Sequence, residues 1–367
     1  MNPDAKRFGR GTKFISVMDI LNNQFICYDN IRASVEVVDG DIETYGVNYG
    51  DILFQRSSET LEDVGQANVY LDSKPAVFGG FVIRGKSKSN YYPMFFRYLL
   101  ASPTARKKII VKGAGAQHFN IGQDGLSKVC LNIPSIQEQE KIAKLFECID
   151  TRIATQNKII EDLKKLKSAI SKQVFAQEPN GWSRLDTLFS KGKAGGTPTS
   201  TNKEYYNGEI PFLSINDITK QGKYVRYTEN HLSQSGLENS SAWVVPKYSL
   251  IMSMYASVGL VTINEIPITT SQAMFAMQLK DKDLLDYLYY YLSYFKYRHI
   301  HKYLETGTQS NINADIVRGI MIPTYGHSRN MEIASTLQGI DVKIDNELSV
   351  LKLFNRQKNY LLSQMFI

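Results

Sequence analysis

From Gln137 to Phe175 the chain reads QEQEKIAKLFECIDTRIATQNKIIEDLKKLKSAISKQVF, with neither proline nor glycine to stop a helix. Ile149, Gln156, Leu163 and Ile170 recur at heptad spacing, and Leu145, Ile159 and Leu166 are taken as the second seam position. The predicted apolar stripe is narrow, as in a coiled coil, and needs a helical partner. The segment Met331 to Phe366 supplies one. At a constant offset Ile142-Ala143 matches Ile333-Ala334, and Ile149-Asp150 matches Ile340-Asp341. Ile153, Lys167, Gln173 and Phe175 recur as Ile344, Lys358, Gln364 and Phe366. A gap-free match over a whole helix marks a tandem duplication. Gln156 and its counterpart Glu347 hold seam positions where apolar residues would be stronger, and a polar residue there fixes register.

Between the helices the pattern shortens to strand length. Asp51–Arg56 and Ala76–Ile83 read as strands, Tyr92–Ile110 as helix interrupted by Pro103, Lys112–Ile121 (KGAGAQHFNI) as a glycine-rich loop, and Val129–Ile133 as a last strand. Glu178-Pro179-Asn180-Gly181 is turn chemistry and marks the boundary between the halves. The order then repeats. FLSINDI at Phe212 matches FISVMDI at Phe14, Leu250-Ile251-Met252 matches Ile52-Leu53-Phe54, and Gly259 and Phe275 match Gly65 and Phe81. The helix Asp283–Tyr303, the loop ETGTQSNIN (305–313) and Ile322-Pro323 complete the second copy. Only Trp182–Pro211 lacks a counterpart, which would map mostly before Met1.

The composition adds a moderate basic balance, with 43 Lys and Arg against 36 Asp and Glu and a pI near 9.0, which favours a polyanionic partner. There is no apolar run of membrane-spanning length and no secretory leader pattern, so a cytoplasmic location is expected. Cys27, Cys130 and Cys148 form no Cys-x-x-Cys pair, against both a zinc site and a disulfide framework.

Familiar catalytic signals fail on inspection. Gly113-Ala114-Gly115 lacks the third glycine of a dinucleotide loop, and Gly192-Lys193 lacks the spacing of a phosphate-binding loop. Asp162-Leu163-Lys164, reminiscent of the end of a metal-nuclease motif, falls on the long helix as solvated charge. His299 and His301 are two apart on a predicted helix and diverge. The chain reads as non-catalytic. What remains are polar, basic and aromatic residues at matching places in two copies. The first offers Gln55, Arg56, Ser57, Lys112, Gln117, His118 and Asn120. The second offers Lys191, Lys193, Thr197, Lys203, Tyr205, Ser253, Tyr255, Gln272, Thr308, Gln309 and Asn311. Such side chains reach phosphates and base edges, arginine to guanine and glutamine or asparagine to adenine. The helices repeat closely while these loops diverge, as two readers of different sequences would need.

Taken together, IPSIQEQEKIAKLF at Ile133, GGTPTSTNKEYYNGEIPFLSINDI at Gly195, GDILFQRS at Gly50, SQAMFAM at Ser271 and GTQSNI at Gly307 resemble the specificity (S) subunit of type I restriction-modification enzymes. The resemblance covers essentially the whole chain. It implies an α+β fold in which two similar α/β target recognition domains are separated by two long helices packed as an antiparallel coiled coil, a pseudo-twofold tandem repeat. On that frame residues 1–136 form the first recognition domain without its opening element, 137–176 the first conserved helix, 177–328 the second domain and 329–367 the second helix. The second helix departs from the family start, reading TYGHSRNMEIA in place of QEQEKIA. The resemblance further implies a bipartite, asymmetric DNA target with an unread spacer. It implies two modification subunits that bind S-adenosylmethionine and methylate adenine at N6, and restriction subunits using ATP and Mg, with no cofactor on this chain. The competing class is a coiled-coil scaffold presenting two protein-binding domains with no nucleic-acid role.

Overall fold

The computed structural model describes residues 1, 3–115, 117–303 and 311–366. They form two compact units, Met1–Lys158 with Leu348–Ile367, and Ile159–Glu347. Two long helices, Ile136–Phe175 and His327–Met365, each contribute one half to either unit.

The start of the first long helix explains its sequence motif. Ser135 and Glu138 make a reciprocal cap, with Ser135 N and Oγ donating to Glu138 Oε2 at 3.1 and 2.8 Å. Gln139 is buried, accepts Tyr92 N at 3.0 Å and donates to Pro134 O at 2.9 Å, so its amide ties the helix start to the chain on both sides. In the second helix Asn330 is buried at the matching position and accepts Tyr325 N at 3.1 Å. The departure from the family start therefore keeps the tie to the preceding turn with a shorter side chain, whereas the bond to a distant residue such as Tyr92 belongs to Gln139.

Half of the expected seam is corrected. Ile149 and Gln156 are buried and Leu163 and Ile170 half-buried, as their heptad spacing requires. Leu145, Ile159 and Leu166, however, are 41%, 39% and 48% exposed. The second seam row runs one residue later, through Phe146, Ile153, Ile160, Lys167 and Val174. In unit 1, Ala143 and Phe146 meet Leu362 and Phe366 in one apolar cluster with Phe95 and Tyr98. In unit 2, Phe175 joins Ile333, Ala334 and Leu337 in the main core. Within each unit the helix halves run antiparallel: Phe146 faces Phe366 with ring centroids 5.7 Å apart, and one turn later Asp150 meets Lys358.

The two units share a frame strand by strand. Phe8–Ile15 pairs antiparallel with Ala33–Val35 through a bulge and parallel with Ala76–Phe78. Tyr206–Leu213 does the same with Asn230–Leu232 and Thr269–Thr270, so residues 206–211, expected to lack a counterpart, match residues 8–13. After these strands Ser16 N and Ser214 N each donate at 2.8 Å to a buried aspartate, Asp19 and Asp217, capping the short helices Val17–Asn22 and Ile215–Gln221. Gly65 and Gly259 occupy equivalent left-handed turns at φ 69° and 77°, donating to Gln55 O and Ser253 O. At Gly65 an added Cβ would meet Ile109 Cγ2 at 2.6 Å, so a side chain is doubly excluded.

Three expected strand features change. The run Ala76–Ile83 is broken at Gly79-Gly80-Phe81 into Ala76–Phe78 and Val82–Gly85. Pairing sets Ile83 opposite Phe54 and Phe275 opposite Met252, so Phe275 corresponds to Ile83; Phe275 is fully buried, whereas Phe81 is 67% exposed. Val129–Ile133 forms no strand. In unit 2 the equivalent strand Met321–Thr324 exists through pairing with Gly181–Arg184. Val82–Gly85 stands at the edge of its three-stranded sheet, while its counterpart Met274–Leu279 is covered by Phe189–Ala194.

Candidate functional site

In unit 1 the strand Ile52–Gln55 delivers Arg56 to the surface. Arg56 N donates to Phe81 O at 2.8 Å, and Ile121 N donates to Arg56 O at 2.9 Å. Ser57–Ser58 then pairs antiparallel with Phe119–Asn120, and the Ser57 hydroxyl bonds Asn120 Oδ1. Ala114 and Asn120 exchange backbone hydrogen bonds at 2.9 and 2.8 Å, closing a loop that carries exposed Gln117 and His118. Arg56, Ser57, Phe81 and Asn120 line one open cleft of about 290 Å³. Arg56 also faces a neighbouring cleft of about 640 Å³ beside Gly79, Gly80 and Gln123. Lys112 is exposed at the base of the loop.

Unit 2 sets different side chains on the same frame. Met254 N donates to Ala273 O at 2.7 Å, and Ile312 N to Met254 O at 3.0 Å, repeating the Arg56 contacts with methionine in place of arginine. Tyr255, 42% exposed, stands where Ser57 stands, and Asn311 where Asn120 stands. The Gln272 side chain is exposed and hydrogen-bonded to Thr197 Oγ1. Thr197 is placed there by Gly195 and Gly196, which lie against Thr270 O and Ser241 Oγ with no room for a Cβ. Lys191 and Lys193 alternate onto one face of the strand Phe189–Ala194, Lys191 Nζ lying 4.5 Å from the Trp243 ring centroid. Lys203 and Tyr205 sit on the 3₁₀ turn Lys203–Tyr205 that opens the next strand. Thr308 and Gln309 lie outside the described residues.

Two candidates turn inward. Gln55 is buried and its Nε2 donates to Ser57 O at 2.8 Å. Ser253, its counterpart, is fully buried and donates to Ser257 O at 2.8 Å. Both brace the surface loop that follows them. Gln156 is buried on the first long helix, and Glu347 pairs with Lys343 one turn back on the second. Phe81 is the cleft residue that sequence reasoning did not name, since it fell inside the run Ala76–Ile83 read as one strand. The only hint was the preceding Gly79-Gly80, which ends one strand before the aromatic.

Asp162 lies 4.0 Å from Lys165 among exposed helix charges, and Cys27, Cys130 and Cys148 are free thiols. Burial holds the His299 imidazole below its ordinary pKa, with Lys302, His301 and Arg298 adding positive charge beside it. Among the described residues no group of three or more His, Cys, Asp or Glu could hold a metal ion, and no helix is long and apolar enough to cross a membrane.

The family model described as type I restriction modification DNA specificity domain matches this chain twice, over residues 1–165 and 179–351. The chain belongs to this family. It is a type I restriction-modification specificity subunit, a protein of DNA sequence recognition, and its two matched segments correspond to the two copies of the repeat. The type I restriction enzyme HindI specificity subunit of Haemophilus influenzae is 22% identical, covering 75% of this chain and 76% of that protein. The putative MjaX specificity subunit of Methanocaldococcus jannaschii is 26% identical, covering 83% and 75%. Two solved structures share the fold. One, concerned with complex assembly and conformational transition of a type I R-M system, has a TM-score of 0.65 at 14% identity and covers 96% of this chain and 90% of that one. The type I S subunit from M. genitalium has a TM-score of 0.54 at 14% identity and covers 99% and 94%.

Proposed function

We propose that each unit reads one half of a bipartite, asymmetric DNA target with an unread spacer between the halves. The observation that carries this reading is the divergence of surface side chains on one repeated frame. Exposed Arg56 in the first copy gives way to buried Met254 in the second, and Ser57 to exposed Tyr255, while the backbone contacts that hold Arg56 and Met254 are the same. An arginine at that place suits a guanine edge or a phosphate, and a tyrosine offers stacking or a single hydroxyl. Two different half-sites follow from one architecture used twice.

The chain itself performs no chemistry in this reading. It positions two modification subunits, which bind S-adenosylmethionine, for adenine N6 methylation, and restriction subunits using ATP and Mg for cleavage. The first long helix, 40 residues, measures about 60 Å at 1.5 Å per residue, enough to act as a ruler for the spacer. Lys158, Lys164, Lys165 and Lys172 are exposed along it and suit phosphates of the unread segment.

Binding of a duplex by the chain assembled with its modification subunits tests this reading against the protein-scaffold alternative. Counterion release makes log K fall by about 0.9 per neutralised phosphate for each tenfold rise in salt. A steep negative slope with sequence preference in two separated blocks is expected. Flat salt dependence, or no DNA binding, would favour the scaffold.

A further inference from the structure

Each unit contains the same three-way polar junction. In unit 1, Lys358 Nζ of the second long helix meets Asp150 Oδ1 of the first at 2.5 Å. Tyr98 Oη, from the domain helix Pro93–Ala101, donates to Asp150 Oδ2 at 2.8 Å. In unit 2 the helices exchange roles: Lys167 of the first meets Asp341 of the second at 2.5 Å, and Tyr290 Oη, from the domain helix Leu285–Arg298, donates to Asp341 Oδ2 at 2.9 Å. The lysines also lie over the tyrosine rings, Lys358 5.7 Å from the Tyr98 centroid and Lys167 5.1 Å from that of Tyr290. Each cluster joins both long helices to the recognition domain of its own unit.

Stability alone does not call for this arrangement. Lys167 stands in the seam row of Ile160 and Val174, where an apolar side chain would bury area without desolvating a charge. The ion pairs are partly shielded, with side chains 27% and 25% exposed in one and 26% and 11% in the other. Such pairs give modest net stability, yet their geometry admits one register, because sliding a helix by one turn separates the charges by about 5 Å. The same expensive choice occurs in both copies. In unit 2 the network continues into the domain: Lys223 Nζ donates to Tyr290 Oη at 3.1 Å and pairs with Asp286 at 2.7 Å. In unit 1 the neutral Gln24 takes part instead, donating to Asp150 Oδ2 at 3.3 Å.

We propose that Asp150, Lys358 and Tyr98 in unit 1, and Asp341, Lys167 and Tyr290 in unit 2, are positioning residues that fix how each recognition domain sits on the helix pair and so set the spacer length the protein accepts. The inference rests on the bipartite reading above. None of these residues contacts bases; they act through the orientation of the domain that does.

The test uses the chain assembled with its modification subunits and a pool of duplexes whose half-sites are separated by spacers varied one base pair at a time, with methylation of each read by sequencing. Asp341→Asn and Asp150→Asn are expected to raise methylation at spacers one base pair longer or shorter by about tenfold relative to the best spacer, leaving the preferred bases of each half unchanged. The exchange Lys167→Asp with Asp341→Lys is expected to restore the narrow preference, which a merely destabilised fold would not. Spacer ratios that stay at wild-type values in both aspartate variants, with the half-site bases retained, overturn the positioning role and leave the bipartite reading standing. A wild-type protein indifferent to spacer length overturns both.

Discussion

Asp19 and Asp217 show how much one side chain can organise. Asp217 Oδ2 accepts from Ser214 N at 2.8 Å and Ser214 Oγ at 2.7 Å, and Oδ1 accepts from Glu229 N at 3.0 Å, so one buried carboxylate holds a helix start and a neighbouring strand together. Asp217→Ala would leave two part-buried backbone donors without this partner and is expected to cost about 1–3 kcal/mol, read from the midpoint shift in urea unfolding. The Ser-x-x-Asp spacing inside FISVMDI and FLSINDI is legible in the sequence as a repeated motif, but the reach of the carboxylate to a strand twelve residues on is not. His299 supplies a pH signature. Its folded pKa lies below the ordinary value, so as pH falls the unfolded chain takes up the proton first, and stability declines below about pH 6.5. The loss of Tm between pH 7 and 5.5 is expected to be smaller in His299→Gln than in the wild type. An equal loss in both would assign the pH dependence to other groups. The inward turn of Gln55 and Ser253 was beyond sequence reasoning, because a polar residue at the end of a strand looks the same whether it faces solvent or braces the next loop.

At the scale of elements, the long helices were readable from periodicity and the absence of breakers, whereas the phase of one seam row was not. Leu145-Phe146 and Ile159-Ile160 place apolar residues side by side, and a 3.5-residue repeat accepts either one. Tertiary context chooses Phe146, because the domain helix carrying Phe95 and Tyr98 meets the long helix on that side. Ile160→Ala is accordingly expected to cost about 2–4 kcal/mol, and Ile159→Ala under about 1 kcal/mol, in chemical denaturation of the isolated chain. Equal costs would return the seam to its first assignment. Strand propensity misled at Val129–Ile133 for a related reason: a strand exists through its pairing, and Met321–Thr324 has the partner that Val129–Ile133 lacks.

Over the whole molecule, duplication was the most informative signal, since helix motifs, capping boxes and the Gly65/Gly259 turns all repeat at nearly fixed offsets. The candidate surface was harder to read. Arg56, Ser57 and Asn120 were named from the sequence and line one cleft, but Phe81 emerged only from the broken strand. Base recognition depends on side-chain placement and on the deformability of the DNA, neither of which obeys a code along the chain. Arg56→Ala is expected to weaken binding by about 1–3 kcal/mol and relax preference at a single base position, visible in a titration against singly substituted duplexes. A uniform loss across all duplexes would make Arg56 a phosphate contact. The central claim, two different half-sites read by one repeated frame, is met most directly by mapping adenine methylation in DNA from cells that express this chain with a modification subunit. The expected result is a motif in two unlike parts separated by a fixed run of unspecified bases. An uninterrupted motif, or a methylation pattern indifferent to the presence of this chain, would contradict it.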